Sequence, residues 1–158
     1  MRPWIRKSVY AVVLFFLVIQ FFPPTRTNPS TDPARTIHAS FSMDPAVTSV
    51  IARACNDCHS NLTVWPWYSR VAPVSWLVVS DVKRGRKALN FSDWQSLNPK
   101  KQQQILPEIC KEVADRDMPT EEYILMHPHA KLTSTEVQSI CSWAHSEALH
   151  RLHMAEKN

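Results

Sequence analysis

Residues 44–59 read DPAVTSVIARACNDCH, and this stretch decides the fold. Asp44 before Pro45 is a helix start: a carboxylate able to accept from the amides of the first turn, then a proline whose missing N–H costs nothing at the first helical position. Val47, Val50, Ile51 and Ala54 then recur at the spacing of one helical face. That face leads into Cys55-Asn56-Asp57-Cys58-His59. Two thiols one helical turn apart, with a histidine adjoining the second, form the C-x-x-C-H arrangement of covalent haem attachment. The reason is geometric. The sulfurs reach two vinyl groups along one edge of a porphyrin, and the histidine offers a ring nitrogen to the iron. Other chemistries compete for the same residues. A redox dithiol normally sits in a βαβ setting, and no strand pattern precedes Cys55. A structural zinc site needs two further ligands, and Cys110 and Cys141 each stand alone and far apart. A simple disulfide, or no cofactor, completes the alternatives.

Composition agrees with a helical reading. The chain has 158 residues, enough for one compact domain plus an anchor. It holds a single glycine, Gly85, and twelve prolines. Glycine supplies the tight turns of β-rich folds, so its scarcity argues against a sandwich or barrel and for helices punctuated by proline-containing loops. The fold class expected is all-α. The formal net charge is +4 without a long basic run, which disfavours nucleic-acid binding. The one cluster, Lys83-Arg84-Gly85-Arg86-Lys87, reads as a solvated helix end, where cations suit the helix dipole; docking of an acidic partner is its alternative.

Downstream of the motif, Val64-Trp65-Pro66-Trp67-Tyr68 is dense in aromatics, and Trp65, Trp67 and Tyr68 are candidate walls of a haem pocket. A six-coordinate iron needs a second ligand. Met118, before Pro119, is the first candidate, because a thioether held in a stiff loop can meet the iron and raises the potential relative to two histidines. Met126, His127 and His129 compete; His127, before Pro128, is an alternative ligand or a contact to a haem propionate. His38, His145, His150 and His153 read as surface residues. Further helices are expected over 73–84, 99–113 (capped by Ser92 or Asn98, with Pro107 a kink or the true start) and from Thr133 onward. There Thr133 and Glu136 form a capping box and Leu132 staples onto Val137. That last helix should pack on the one carrying Cys55. Cys110 and Cys141 lie on apolar faces and read as buried free thiols, with a disulfide as the alternative in an oxidising compartment.

Upstream, Val9 to Phe22 reads VYAVVLFFLVIQFF, after Arg2, Arg6 and Lys7 and before Pro23-Pro24. It resembles the charged and apolar regions of an export signal, and no small-x-small cleavage site follows, which favours an uncleaved anchor. From Trp4 to Phe22 it just suffices for a thin bilayer. The expected organisation is an anchor over 1–24, a linker over 25–43 and a domain over 44–150. It places one span in a bacterial inner membrane and the domain on the periplasmic side.

The order of motifs resembles the bacterial haem-binding domain family: Cys55-x-x-Cys58-His59-Ser60-Asn61, Trp65-Pro66-Trp67-Tyr68, Ala72-Pro73-Val74-Ser75-Trp76, Gly85-Arg86 and Leu89-Asn90-Phe91-Ser92-x-Trp94, then Met118-Pro119, Tyr123, His127-Pro128, Leu132 and Trp143. The resemblance spans roughly residues 10–146 and departs from the usual pattern in Cys110 and Cys141. It implies a cytochrome-c-like helical fold around one haem c, attached through Cys55 and Cys58 with His59 as proximal ligand. It leaves the reaction open. The function expected is one-electron transfer between unidentified redox partners at a membrane. A haem sensor or ligand binder is the alternative, and a haem peroxidase or zinc module follows further behind. No acid–base or nucleophilic constellation points to an enzyme.

Overall fold

The computed structural model describes the backbone of residues 2–156 and side chains through His153. Eight α-helices follow in order: α1 (Pro3–Ile19), α2 (Ile37–Ser40), α3 (Pro45–Ala54), α4 (Asn56–His59), α5 (Val74–Ala88), α6 (Pro99–Ala114), α7 (Glu121–Met126) and α8 (Ser134–Glu156). Short 3₁₀ turns at Pro33–Arg35, Trp67–Arg70, Phe91–Ser96 and Pro128–Ala130 join them, and there is no strand among the described residues.

The helix starts are chemical. Asp44 accepts from the Ala46 amide at 2.7 Å and opens α3, whose Val47, Val50, Ile51 and Ala54 are buried. Asn98 accepts from the Lys101 amide at 2.8 Å and opens α6, which runs on through Pro107. At α8 the capping box closes both ways: Thr133 N–H donates to Glu136 Oε2 at 2.8 Å, and Glu136 N–H donates to Thr133 Oγ1 at 3.3 Å.

The main core lies where α6 packs on α8, with α2 and the 91–96 turn closing one end. Trp94, Ile37 and Leu106 are fully buried there, and Phe41 meets Trp94 and Trp143 edge-on at 5.4 and 5.8 Å. Helix α3 lies across α8, and Arg53 ties the two by pairing with Glu136 and donating to the His129 carbonyl at 3.0 Å. Cys110 and Cys141 are joined in a disulfide, which corrects the expectation of free thiols. They occupy the facing stripes of α6 and α8, and their Cα atoms come within 4.5 Å, a distance a disulfide spans. His38, His145, His150 and His153 are exposed, as their polar surroundings suggest.

One further expectation changes. Residues 25–43 do not hang free. Arg26 donates to the Ser69 carbonyl at 2.9 Å, Asn28 donates to the Thr63 carbonyl at 2.8 Å, and Asn61 donates to the Ser30 carbonyl at 3.2 Å. The segment is a strap, held chiefly by Arg86, whose guanidinium donates to the carbonyls of Ser60 and Thr27 (both 2.7 Å), to Asn28 Oδ1 (3.0 Å) and to Thr63 Oγ1 (2.7 Å). Helix α1 has 17 residues, about 25 Å at 1.5 Å per residue, against a hydrocarbon core of about 30 Å. Among the described residues no helix is long and apolar enough to cross a membrane. Nearly all of α1's side chains are exposed.

Candidate functional site

Helix α3 ends at Cys55, whose backbone (φ −122°, ψ −36°) breaks regular helix geometry before α4 begins. The Cys55 carbonyl accepts from both Cys58 N–H at 3.2 Å and His59 N–H at 2.9 Å, so one oxygen gathers both cysteines and the histidine into a single turn. Both thiols are free and half-buried. Burial pushes Cys55 up to about 12, helped by the neighbouring Cys58 and opposed by Arg53. Burial pushes Cys58 up to about 11, helped by Asp57 and Asp81 and opposed by Arg86. These are protonated thiols at neutral pH, the reverse of the low-pKa thiolate that a disulfide exchanger needs. The zinc alternative also weakens, because its two further cysteines are bonded to each other.

His59 is oriented from behind. Its Nδ1 lies 3.1 Å from the Leu89 carbonyl, and since a carbonyl only accepts, Nδ1 carries the proton. The Nε2 lone pair is thereby left for another partner. Burial lowers the pKa of His59, against the opposing pull of the Leu89 and Gly85 carbonyls and the charge of Glu112. The ring is a neutral imidazole, as a metal ligand must be.

The carbonyl that orients His59 is placed by α5, which packs directly on α4. The approach is closest at Gly85, where a Cβ would stand 2.4 Å from the Cys58 carbonyl oxygen and 3.1 Å from Cys58 Cβ. Only a glycine permits that distance. The Leu89 N–H donates to the Gly85 carbonyl at 2.9 Å, which couples the contact to the carbonyl facing His59.

On the other side of the turn, Asp57 is a hub. Its Oδ1 accepts from Val64 N–H at 2.8 Å, its Oδ2 accepts from the Tyr123 hydroxyl at 2.7 Å, and its carbonyl accepts from Thr63 Oγ1 at 2.6 Å. Tyr123 stacks on His127 with centroids 4.2 Å apart, and the Tyr68 hydroxyl sits 3.4 Å from His127 Nε2. Burial raises the pKa of both tyrosines, and Asp57 adds to each shift, so both phenols stay protonated. Tyr68, Tyr123, His127 and Asp57 therefore form one hydrogen-bonded and stacked group beside Cys58.

Met118 is positioned by the end of α6. Arg116 adopts a left-handed conformation (φ 65°), and the amides of Asp117 and Met118 both donate to the Glu112 carbonyl, at 3.0 and 3.1 Å. The Met118 side chain is 37% exposed, and Glu112, which holds its backbone, is the residue whose charge acts on His59. Of the three aromatics expected to wall a pocket, Tyr68 stands in the Asp57 group. Trp67 is 73% exposed against its edge, and Trp65 donates its indole N–H to Asn28 on the strap at 3.0 Å. Asp57, Gly85, Leu89 and Tyr123 are the residues that reading the motif alone overlooks. Gly85 carried a usable signal: a lone glycine inside a helix costs about 1 kcal/mol against alanine and calls for a packing reason. An open polar cleft of about 440 Å³, lined by Asp32, Arg35, Asn61 and Asp93 among others, includes none of the C-x-x-C-H residues and is partly filled by its own Arg35–Asp93 ion pair.

The donor set suits a covalently bound haem: two neutral thiols and an imidazole in one turn, the imidazole tautomer fixed, and apolar side chains left uncovered nearby at Leu62 and Val64. Comparison with known proteins supports haem binding in general. A family model described as a haem-binding domain matches residues 14–146. No curated protein and no solved structure matches the chain.

Proposed function

The chain belongs to the haem-binding domain family, and we propose that its member role is one-electron transfer through a single haem c, attached at Cys55 and Cys58, ligated by His59 and Met118, in a cytochrome-c-like domain held at the periplasmic face of a bacterial inner membrane. The observation that carries this reading is the pairing of a fixed His59 tautomer, Nδ1 on the Leu89 carbonyl, with two protonated thiols in the same turn. When bound, the haem supplies an iron that changes by one electron between ferric and ferrous forms.

The residues of the chain supply binding, orientation and environment. The Leu89 carbonyl holds the His59 ring and strengthens its basicity. On α5, Val74, Val78, Asp81 and Gly85 repeat at helical spacing on the face that meets Cys58, and Val74 and Val78 extend it as an apolar wall. Tyr123 and Asp57 brace the opposite rim, where His127 offers a ring to a propionate. Met118 completes the ligand set from a loop fixed by two backbone bonds. Anchoring is assigned to α1 with the Gln20-Phe21-Phe22 turn that prolongs its apolar surface, which suits a thin bilayer.

The visible spectrum tests the ligand set. The matured protein should be low-spin with His/Met character, and Met118→Ala should convert it to a high-spin or differently ligated form. An unchanged spectrum in that variant eliminates Met118. A second reading, a sensor or ligand binder, draws on the partial exposure of Met118, which leaves it displaceable. High-spin bands in the unmodified protein, or a spectral change on adding carbon monoxide to the ferrous form, would favour it.

A further inference from the structure

The C-terminal end of α1 is bonded to the domain. The Gln20 side chain donates to the Ala72 carbonyl at 3.0 Å and accepts from the Ala72 N–H at 3.0 Å. Two residues on, the Phe22 carbonyl accepts from the Trp76 indole N–H at 2.9 Å. These three bonds link the end of α1 to the start of α5 across more than fifty residues of sequence. The strap then continues the attachment through Arg26 and Arg86. The end of α1 is thereby tied to the start of α5.

The surface around that junction is apolar and exposed: Phe21 by 83%, Phe22 by 66%, Val71 by 44% and Trp76 by 38%. It is continuous with the bare apolar surface of α1. From Trp76 the exposed face of α5 runs through Ser80, Lys83 and Lys87 at helical spacing. A tryptophan beside an apolar helix, followed along the same stripe by lysines, is the chemistry of the lipid headgroup zone: an amphipathic ring at the interface, then cations facing anionic phosphates. Gly85, at the haem-attachment turn, lies nine residues from Trp76, which at 100° per residue is about half a turn around the same helix.

We propose that the Trp76–Ser80–Lys83–Lys87 face of α5 rests on an anionic lipid surface, so that the C-x-x-C-H site is held at fixed height and turned away from the membrane. This inference rests on the anchor reading above. An acidic protein on the same lysines is the competing occupant, and the test separates the two.

In the matured protein Cys55 and Cys58 are in thioethers and Cys110 and Cys141 in a disulfide, so a cysteine introduced at Ser80 is the only reactive thiol. The full chain carrying Ser80→Cys with a nitroxide label, and a control with Gln138→Cys at an exposed position of α8, would be reconstituted into phosphatidylethanolamine vesicles containing phosphatidylglycerol. The readout is each label's accessibility to oxygen against a water-soluble nickel chelate. The label at 80 should show a severalfold lower nickel-to-oxygen accessibility ratio than the label at 138. Adding Lys83→Glu with Lys87→Glu should bring the two ratios together. Equal ratios at 80 and 138 in the unmodified background, with the chain still retained after alkaline carbonate washing, overturn the seating and leave the anchor standing. Release by that washing overturns both. A label at 80 that stays protected after the charge reversal overturns the assignment to anionic headgroups. A label at 80 that is protected only when an acidic protein is added hands the face to that partner.

Discussion

Replacing Gly85 with alanine isolates the contact on which the C-x-x-C-H turn depends. In an exposed helix the change would stabilise by about 1 kcal/mol, because alanine is the better helix former. Here the new methyl would stand 2.4 Å from the Cys58 carbonyl oxygen and 2.9 Å from its carbon. Those are main-chain atoms of the C-x-x-C-H turn, with no rotamer to move aside, so α5 and α4 must separate by roughly 1 Å, at the upper end of the ~1–3 kcal/mol usual for overpacking. The same displacement stretches the 3.1 Å contact between His59 Nδ1 and the Leu89 carbonyl, which sits one turn beyond Gly85, and removes about 1 kcal/mol more. The helix gain offsets part of this, leaving a net loss of about 2–3 kcal/mol. Urea unfolding of the matured protein would read it as a midpoint lowered on the order of 1 M. A second readout separates this mechanism from general damage: loss of the Leu89 bond weakens the basicity of His59 and should raise the reduction potential of the remaining folded protein. A variant as stable as the parent, with an unchanged potential, would refute the claim that α5 meets the Cys58 carbonyl and sets the histidine.

Arg116 holds a left-handed backbone at φ 65° where glycine is the usual occupant, so Arg116→Gly should stabilise by about 1 kcal/mol in denaturant titration while leaving the visible spectrum unchanged. Replacing both Cys110 and Cys141 with alanine opens a crosslink across a sequence separation of 31, and chain entropy alone gives a loss of about 3–4 kcal/mol, measurable as a lowered urea midpoint with haem content retained. Glu136 is held down to about 2 by the Thr133 amide first and by Arg53 next. A depressed carboxyl stabilises the fold above its unfolded pKa of about 4.5 and loses that contribution as pH falls through about 2. The thermal-midpoint difference between the parent and Glu136→Gln should therefore be full above pH 4.5 and vanish near pH 2; a difference independent of pH would sink the assignment.

Much of the architecture was legible where local chemistry decides it. Asp44-Pro45, Asn98-Pro99 and Thr133-x-x-Glu136 each state a helix start within four residues, and each makes the hydrogen bond its side chain implies. The C-x-x-C-H turn was legible for the same reason, since its geometry is contained in five residues. What escaped were contacts between segments distant in sequence. The strap looked like a free linker because Thr, Asn and Ser have no hydrophobic period, yet their polar groups serve as partners for Arg86 from some sixty residues away. The disulfide depended on a distance that periodicity cannot supply: two apolar faces predict burial, while only the packing of α6 on α8 brings the sulfurs together. Leu89 carries no side-chain signal for its task, because the working atom is its carbonyl oxygen. Tyr123 and Asp57 are ordinary singly, and gain meaning only when α7 folds back over the turn.

Covalent attachment at Cys55 and Cys58 can be read from the pyridine haemochrome spectrum of exported, matured protein after acid–acetone extraction. One haem should be retained per chain with the spectrum of a thioether-linked porphyrin, and the pellet of the Cys55→Ala, Cys58→Ala double variant should lose its colour completely. Colour that leaves with the solvent, or a matured protein that is colourless, would contradict it.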